Sequence, residues 1–119
     1  ETLVEMGISD DHVTVINVPG AFELPVVARR AAETDRFDAI VCLGCVIRGE
    51  TPHFDYIASS VAAGLTTASQ ATGVPISFGV LTTNSYDEAA ARAGAGSGNK
   101  GREAAMAAVR VAQTIRDLG

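Results

Sequence analysis

The sequence predicts an α/β fold in which a parallel sheet is covered by helices on both faces. Apolar runs of strand length alternate along the chain with longer segments of helical periodicity. Residues 39–47 contain no charged side chain, which is typical of a strand buried between two helix layers. Only 5% of the residues are aromatic and none is Trp, which favours close-packed helices and strands of small residues over an aromatic-rich β-sandwich.

Length and charge restrict the classes of partner. The 119 residues fit a single domain, which we expect to span residues 1–119. A formal net charge of −5 disfavours nucleic acid and anionic membranes, because those partners require concentrated Lys and Arg. No apolar run reaches the roughly 18 residues of a membrane span, and no signal-peptide pattern opens the chain. We therefore expect a cytoplasmic protein without nucleic-acid or membrane partners.

The first half of the chain predicts the end of a helix, a strand, a second helix and a central strand. Residues 1–7 carry apolar side chains and close on a glycine, which is typical of a last helical turn. We therefore expect an upstream segment that supplies the start of this helix and a first strand. The β-branched run at 13–18 predicts a strand, and apolar spacing over 24–31 predicts a helix with proline in its first turn. The run over 39–47 predicts the central strand.

The second half predicts a long helix, a strand, a short helix and a terminal helix. Helical spacing begins at Phe54 and ends at Gly73, and a strand follows at 76–81. A capping-box pattern predicts a short helix over 85–93, and Asn99 is a plausible N-cap of the last helix. Strands separated by helical crossovers imply a parallel, flavodoxin-like sheet of order 2-1-3-4. In that order the strand at 13–18 lacks its neighbour, since the first strand lies upstream.

The strand-to-helix corner at residues 44–57 is the candidate active site. The central strand runs out there into Arg48-Gly49, and His53 follows just before the next helix. The carboxyl ends of parallel strands are where open α/β sheets place ligands. A histidine, with an ordinary pKa of about 6.5, suits proton transfer near neutral pH. From the residues alone, catalysis and a capping or packing role for His53 remain equally open.

The cysteines and the other histidine predict no metal or redox site. Cys42 and Cys45 lie three residues apart in a predicted strand, so their side chains face opposite ways and cannot close on one metal or disulfide. We interpret them as two small core residues. His12 is expected to be a surface residue. Because the whole chain contains only two histidines, we expect no metal site.

A glycine-rich segment at residues 94–101 leaves two interpretations open. It follows a predicted helix and lacks Gly-Lys-Ser/Thr, so it is not a phosphate-binding P-loop. Arg92 and Lys100 flank it just before a helix N-terminus, where charge and helix dipole can hold an anion. The alternative is two solvated basic residues.

A family pattern is spread over four segments, at residues 19–25, 44–57, 78–84 and 92–101. These segments resemble the 6,7-dimethyl-8-ribityllumazine synthase family, and the likeness runs from about residue 3 to the end of the chain. The resemblance implies a step of riboflavin biosynthesis that needs no metal or organic cofactor. In that step 5-amino-6-(D-ribitylamino)uracil condenses with 3,4-dihydroxy-2-butanone 4-phosphate to give the lumazine, phosphate and water.

Carried over position by position, the resemblance implies a catalytic set of His53, Arg92 and Lys100. His53 takes the place of the family's proton-transfer histidine, and Arg92 takes that of its phosphate-binding arginine. The other matched positions hold the substrates, and they are Ala21, Phe22, Glu23, Cys45, Val46, Ile47, Glu50, Thr51, Phe78 and Glu103.

The resemblance also divides these residues between the two substrates. The ribitylaminouracil is expected on the segment 21–23 and beside the strand end at 45–47, and the phosphate ketone on the backbone of residues 50–51. Glu50 replaces a small residue of many members and adds negative charge near the phosphate. Glu103 matches an acidic partner of the basic residues. Three residues are expected to come from the adjacent subunit, namely Phe78, Arg92 and Lys100.

The resemblance implies a homo-oligomer, because the family forms pentamers and some members assemble sixty-subunit shells. The short segment 94–98 favours the shell, and riboflavin synthase is a candidate partner. Two other functions remain open. One is a non-catalytic flavin-binding or shell-forming protein, against which the intact His53, Arg92 and Lys100 argue. The other is the archaeal-type riboflavin synthase, which shares the fold and consumes two lumazines.

Overall fold

A computed structural model describes residues 1–47, 53–83, 87 and 99–119 of the chain, with the side chains of 47, 53, 54 and 81–83 outside that description. The described residues alternate between helices and strands, as predicted. The α-helices are α1 (Thr2–Glu5), α2 (Leu24–Glu33), α3 (His53–Thr72) and α4 (Lys100–Leu118), the strands are β1 (Ile40–Ile47) and β2 (Ile76–Thr83), and short 3-10 helices span Asp10–His12 and Ala21–Glu23.

β1 and β2 pair in parallel, in a register that runs from Ile40 opposite Ile76 to Ile47 opposite Thr83. A parallel pair needs a long crossover, and α3 is the element between the two strands. The predicted α/β class, with a parallel sheet and helices, is confirmed. The predicted strands at 39–47 and 76–81 are found within one or two residues of their expected bounds.

Helices cover both faces of this sheet. One face packs on α2 and α3, with a buried cluster made of Leu24, Ala28, Cys42, Val46, Val61, Leu65 and Val80. The opposite face packs on α4, because a Cβ built on Gly79 would lie 3.0 Å from the Cβ of Ala104. Gly79 alternates with Val80 along β2, so the two contacts belong to opposite faces. The glycine permits a close approach of helix to strand.

The predicted helix ends are confirmed by their backbone conformation. Gly7 has a φ of 93° and Gly73 a φ of 76°, in the left-handed region where glycine carries no steric penalty. The Gly7 N–H donates to the carbonyl of Val4 at 3.0 Å, and the Ile8 N–H donates to that of Leu3 at 2.9 Å. This pair of bonds is a Schellman motif.

The strand predicted at residues 13–18 does not form in the described structure. These residues make no ladder with β1 or β2, and the side chains of Val15 and Ile16 are 79% and 54% exposed. A β-branched run favours extended backbone, but a strand also needs a neighbour for its N–H and C=O groups. The prediction of a strand at residues 13–18 was therefore wrong for the described structure.

Other predictions are confirmed or lie outside the described residues. α2 carries proline in its first turn, and His12 is exposed. The predicted short helix at 85–93 lies outside the description apart from Asp87. Among the described helices, none combines the length and the apolar content needed to cross a membrane.

The two cysteines differ in environment. Cys42 is buried in the cluster beside α2 and α3, whereas Cys45 is exposed, and both are free thiols. The prediction that they face opposite ways fits this difference, but the interpretation of both as core residues was wrong for Cys45. In the described part of the chain, no cluster of three His, Cys, Asp or Glu residues is arranged to hold a metal ion.

The crossing of α2 and α3 depends on Gly64, and we predict that Gly64→Ala destabilises the protein. A Cβ at this position would lie 2.7 Å from the Cβ of Pro25, so the helices would have to move apart. We expect a loss of about 1–3 kcal/mol, as for overpacked cores, although alanine is the better helix former by about 1 kcal/mol.

Thermal unfolding measures this effect, and Ala63→Gly calibrates it. Ala63 is the exposed neighbour of Gly64 in α3, so its replacement reports helix propensity without the crossing. A higher melting temperature for Gly64→Ala than for the parent protein would contradict the predicted contact.

The Cys42 thiol should resist alkylation in the folded protein. Burial raises its pKa from 9.0 to about 11, and the thiolate is the reacting form. In a Cys45→Ser variant, we expect slow labelling by iodoacetamide at pH 8 and complete labelling after denaturation. Rapid labelling of the folded variant at that pH, at the rate of a free cysteine peptide, would show that Cys42 is accessible.

Candidate active site

The short helix Ala21–Glu23 packs against the carboxyl-terminal half of β1. A Cβ built on Gly44 would lie 3.5 Å from the Cβ of Ala21 and 3.3 Å from Cδ1 of Leu24. Since Gly44 has no side chain, the turn can rest directly on the strand, one residue before Cys45. Ala21 is packed against the core, whereas Phe22 is 52% exposed. The structure thus brings two of the predicted substrate segments together.

The role of Gly44 was not predicted from the sequence. An isolated glycine within a β-branched strand is a signal of close backbone approach, and that signal was present in residues 39–47. It could have identified Gly44 as the place where another segment rests on the strand.

The strand end beyond Gly44 presents both buried and exposed side chains. Val46 is 7% exposed and belongs to the core, whereas Cys45 is exposed. Ile47 is the last residue of β1, and α3 begins at His53. The backbone therefore places His53 in the first turn of α3, which begins one residue before the expected start at Phe54, while the side chain of His53 lies outside the description. Glu50, Thr51 and Arg92 also lie outside the described residues.

Lys100 and Glu103 form a second group, at the N-terminus of α4. The Nζ atom of Lys100 lies 3.7 Å from Oε2 of Glu103, and their side chains are 37% and 57% exposed. An ion pair this exposed contributes little to stability, typically about 0–1 kcal/mol. It does keep a carboxylate beside the lysine.

These two groups lie on opposite faces of the sheet. Ala21 contacts the face that carries Gly44, which alternates with Leu43 along the strand. The first turn of α4 lies near Leu43, because a Cβ built on Gly101 would lie 3.6 Å from Leu43 Cδ2. The sheet therefore separates the 21–23 segment from the turn that carries Lys100.

Phe78 is distant from the carboxyl ends of the strands. It pairs in register with Cys42, five residues before the end of β1 at Ile47. At about 3.3 Å per residue it lies about 16 Å from that end. Phe78 is partly buried against the core. It also lines a cavity of about 300 Å³ together with Ser69, Pro75, Ile76, Ser77, Ala107, Ala108 and Val111.

That cavity lies where β2 begins, away from the carboxyl ends of the strands. Its lining is mostly apolar, and within the described residues the Oγ of Ser77 is buried without a hydrogen-bond partner. Of the predicted site residues whose side chains the structure describes, only Phe78 lines it. The cavity is therefore separate from the corner formed by β1 and the turn at 21–23.

One contact near the site had no signal in the sequence. Arg102 Nη1 donates to Oε2 of Glu5 at 2.9 Å and so joins the first turn of α4 to α1. The two residues are 97 positions apart, and neither lies in a recognisable motif.

Comparisons with known proteins identify the family of the chain. The family model for 6,7-dimethyl-8-ribityllumazine synthase matches residues 1–116. A curated protein of Syntrophus aciditrophicus (strain SB), described as 6,7-dimethyl-8-ribityllumazine synthase, is 48% identical over 118 residues, which cover 99% of this chain and 77% of that protein. The prediction of an enzyme, a transferase of riboflavin biosynthesis, is confirmed at this level. The chain belongs to the 6,7-dimethyl-8-ribityllumazine synthase family.

Proposed function

We propose that this chain condenses 5-amino-6-(D-ribitylamino)uracil with 3,4-dihydroxy-2-butanone 4-phosphate to 6,7-dimethyl-8-ribityllumazine, phosphate and water. The observation that carries this proposal is the contact of the Ala21–Glu23 turn with Gly44. It assembles the uracil-binding segment on the strand that leads to His53. Family membership supplies the reaction.

The uracil substrate lies between the turn and the end of β1. Phe22 is half exposed on that turn, where an aromatic ring can stack on a flat heterocycle. Glu23 and the backbone of the strand end at Cys45, Val46 and Ile47 complete this part of the pocket. Holding both reactants in one geometry accounts for much of the acceleration, since the reaction joins two molecules.

His53 transfers protons in the condensation. The amine adds to the ketone and water leaves to form an imine, phosphate is then eliminated, and a second amine–carbonyl closure with loss of water forms the ring. Each step moves a proton between nitrogen, carbon or oxygen near neutral pH, which is the range of an imidazole. Support comes from the position of His53 as the first residue of α3, the helix that follows β1 along the chain.

The phosphate ketone is held by basic groups and backbone. Arg92 forms bidentate, charge-assisted bonds with the phosphate, and Glu50 and Thr51 offer backbone groups. Lys100 lies in the first turn of α4, where the helix dipole also favours an anion. Because the chain has a net charge of −5, these local cations are needed to attract an anionic substrate. Glu103 lies beside Lys100 as the acidic partner of these basic groups.

Two neighbouring subunits share the site in this proposal. Support comes from the sheet that separates the 21–23 segment from Lys100, and from the distance of Phe78 to the strand end. One subunit then supplies the uracil pocket and His53, and its neighbour supplies Phe78, Arg92 and Lys100. The protein acts as a pentamer, which assembles further into a sixty-subunit shell. It works in the cytoplasm without metal or organic cofactor and passes its product to riboflavin synthase.

The experiment that tests the reaction mixes both substrates with full-length protein and follows lumazine absorbance. We expect formation well above the uncatalysed condensation. Chromatography of the product separates this activity from that of an archaeal-type riboflavin synthase, which would consume lumazine. If the rate does not exceed the uncatalysed one, the chain does not catalyse this reaction.

We predict that Arg92→Ala raises the KM for the butanone phosphate by roughly tenfold to a hundredfold, the usual effect of losing charge-assisted bonds. The KM for the uracil substrate should change much less. Arg30→Ala is the matched control, because Arg30 is an exposed arginine of α2 that is not among the predicted site residues. An unchanged KM for the phosphate substrate in Arg92→Ala would rule out the role assigned to this arginine.

We predict that the two defective variants complement each other. His53→Ala should keep its assembly but lose turnover by roughly tenfold to a hundredfold, since reactant proximity remains. When His53→Ala and Arg92→Ala chains are co-expressed at equal levels, about a quarter of shared sites regain both residues. The mixed oligomer should therefore exceed either variant alone. If the mixed oligomer shows only the average of the activities of the two single variants, both residues act within one subunit.

A further inference from the structure

We propose that Asn99 is a positioning residue for the phosphate half of the site, an inference that rests on the proposed function. Its side chain fixes where α4 begins and so holds Lys100 and Glu103 against each other. The sequence predicted Asn99 only as a helix cap.

Asn99 closes the first turn of α4 with two of its own oxygens. The Arg102 N–H donates to Oδ1 of Asn99 at 2.8 Å, and the Glu103 N–H donates to its backbone carbonyl at 3.2 Å. The backbone of Asn99 is extended, with φ −73° and ψ 114°, as expected of a cap residue. The first N–H groups of a helix have no partner within the helix, so these bonds define its start at Lys100.

The pairing of Lys100 with Glu103 requires this turn to be helical. Residues three apart face each other on a helix but not in extended chain. The two side chains are 37% and 57% exposed and 3.7 Å apart, so their attraction is too weak to impose the turn. The cap, rather than the ion pair, therefore sets the direction of Lys100.

Gly101 leaves the room that this arrangement needs. A Cβ at residue 101 would lie 3.3 Å from Oδ1 of Asn99 and 3.6 Å from Cδ2 of Leu43. The cap oxygen and the β1 side chain thus both come close to the same bare backbone position. The Asn-Lys-Gly sequence at 99–101 therefore links the start of α4 to the packing of this helix against β1.

The test compares Asn99→Ala and Asn99→Ser in the full-length protein, with steady-state kinetics for both substrates and melting temperatures. Serine is also a good N-cap and keeps an acceptor oxygen, whereas alanine has none. We expect Asn99→Ala to lower kcat/KM for the butanone phosphate roughly tenfold, because a small misplacement of a binding group is costly. The KM for the uracil substrate should stay near that of the parent. Asn99→Ser should restore kcat/KM to within about threefold.

Thr114→Ala is the control within the same helix. The Thr114 hydroxyl donates to the carbonyl of Arg110 at 3.0 Å, so this variant also loses one side-chain bond to the α4 backbone, far from its first turn. It should leave kcat/KM unchanged. A purely structural cap would lower the melting temperature of Asn99→Ala and leave the kinetics of the folded protein unaltered.

Each outcome decides the proposal. An active parent with unchanged kcat/KM in Asn99→Ala overturns it, as does an Asn99→Ser variant as impaired as Asn99→Ala. If Asn99→Ala does not fold, Asn99→Ser carries the test alone, and a tenfold loss there contradicts the cap. A parent that forms no lumazine overturns the proposed function and, with it, this inference.

Discussion

The parallel pairing of β1 with β2 is the constraint on which the described architecture depends. Two parallel strands cannot be joined by a hairpin, so the chain must leave the carboxyl end of β1 and return along a helix to the start of β2. That return is α3, and its first residue is His53. The hydrogen bonding of the sheet thus determines where the helix that carries His53 begins. This position does not depend on the residue being a histidine.

Glycines determine how closely other elements approach this pair of strands. Gly44 admits the Ala21–Glu23 turn on one face, and Gly79 admits Ala104 of α4 on the other. Each approach brings a group of candidate site residues to the sheet. Because neighbouring residues of a strand face opposite ways, the groups arrive on different sides. The separation of the 21–23 segment from Lys100 is therefore a direct consequence of strand geometry.

Much of the fold could be predicted because its signals are local. The apolar run of β1, the stops at Gly7 and Gly73, and the cap at Asn99 each depend on residues within a few positions. The prediction of a strand at 13–18 was wrong, because strand pairing depends on a neighbouring strand that the local sequence does not specify. The exposure of Cys45 could not be predicted. The alternation of side chains along a strand shows that Cys42 and Cys45 lie on opposite faces of the sheet, but not how completely the helices cover each face. The candidate site was predicted from motif resemblance, and the separation of its 21–23 segment from Lys100 by the sheet became apparent only from packing.

The separation of the two groups by the sheet bears on when the enzyme becomes active. A newly made chain carries the 21–23 segment on one side of the sheet and Lys100 on the other, so under the shared-site proposal a single chain is inactive. Assembly is then the activation step, with no proteolysis or modification. At low abundance, the rate of lumazine formation in the cell would rise more steeply than the protein concentration. Once every chain has a neighbouring subunit, the rate would rise in proportion to that concentration.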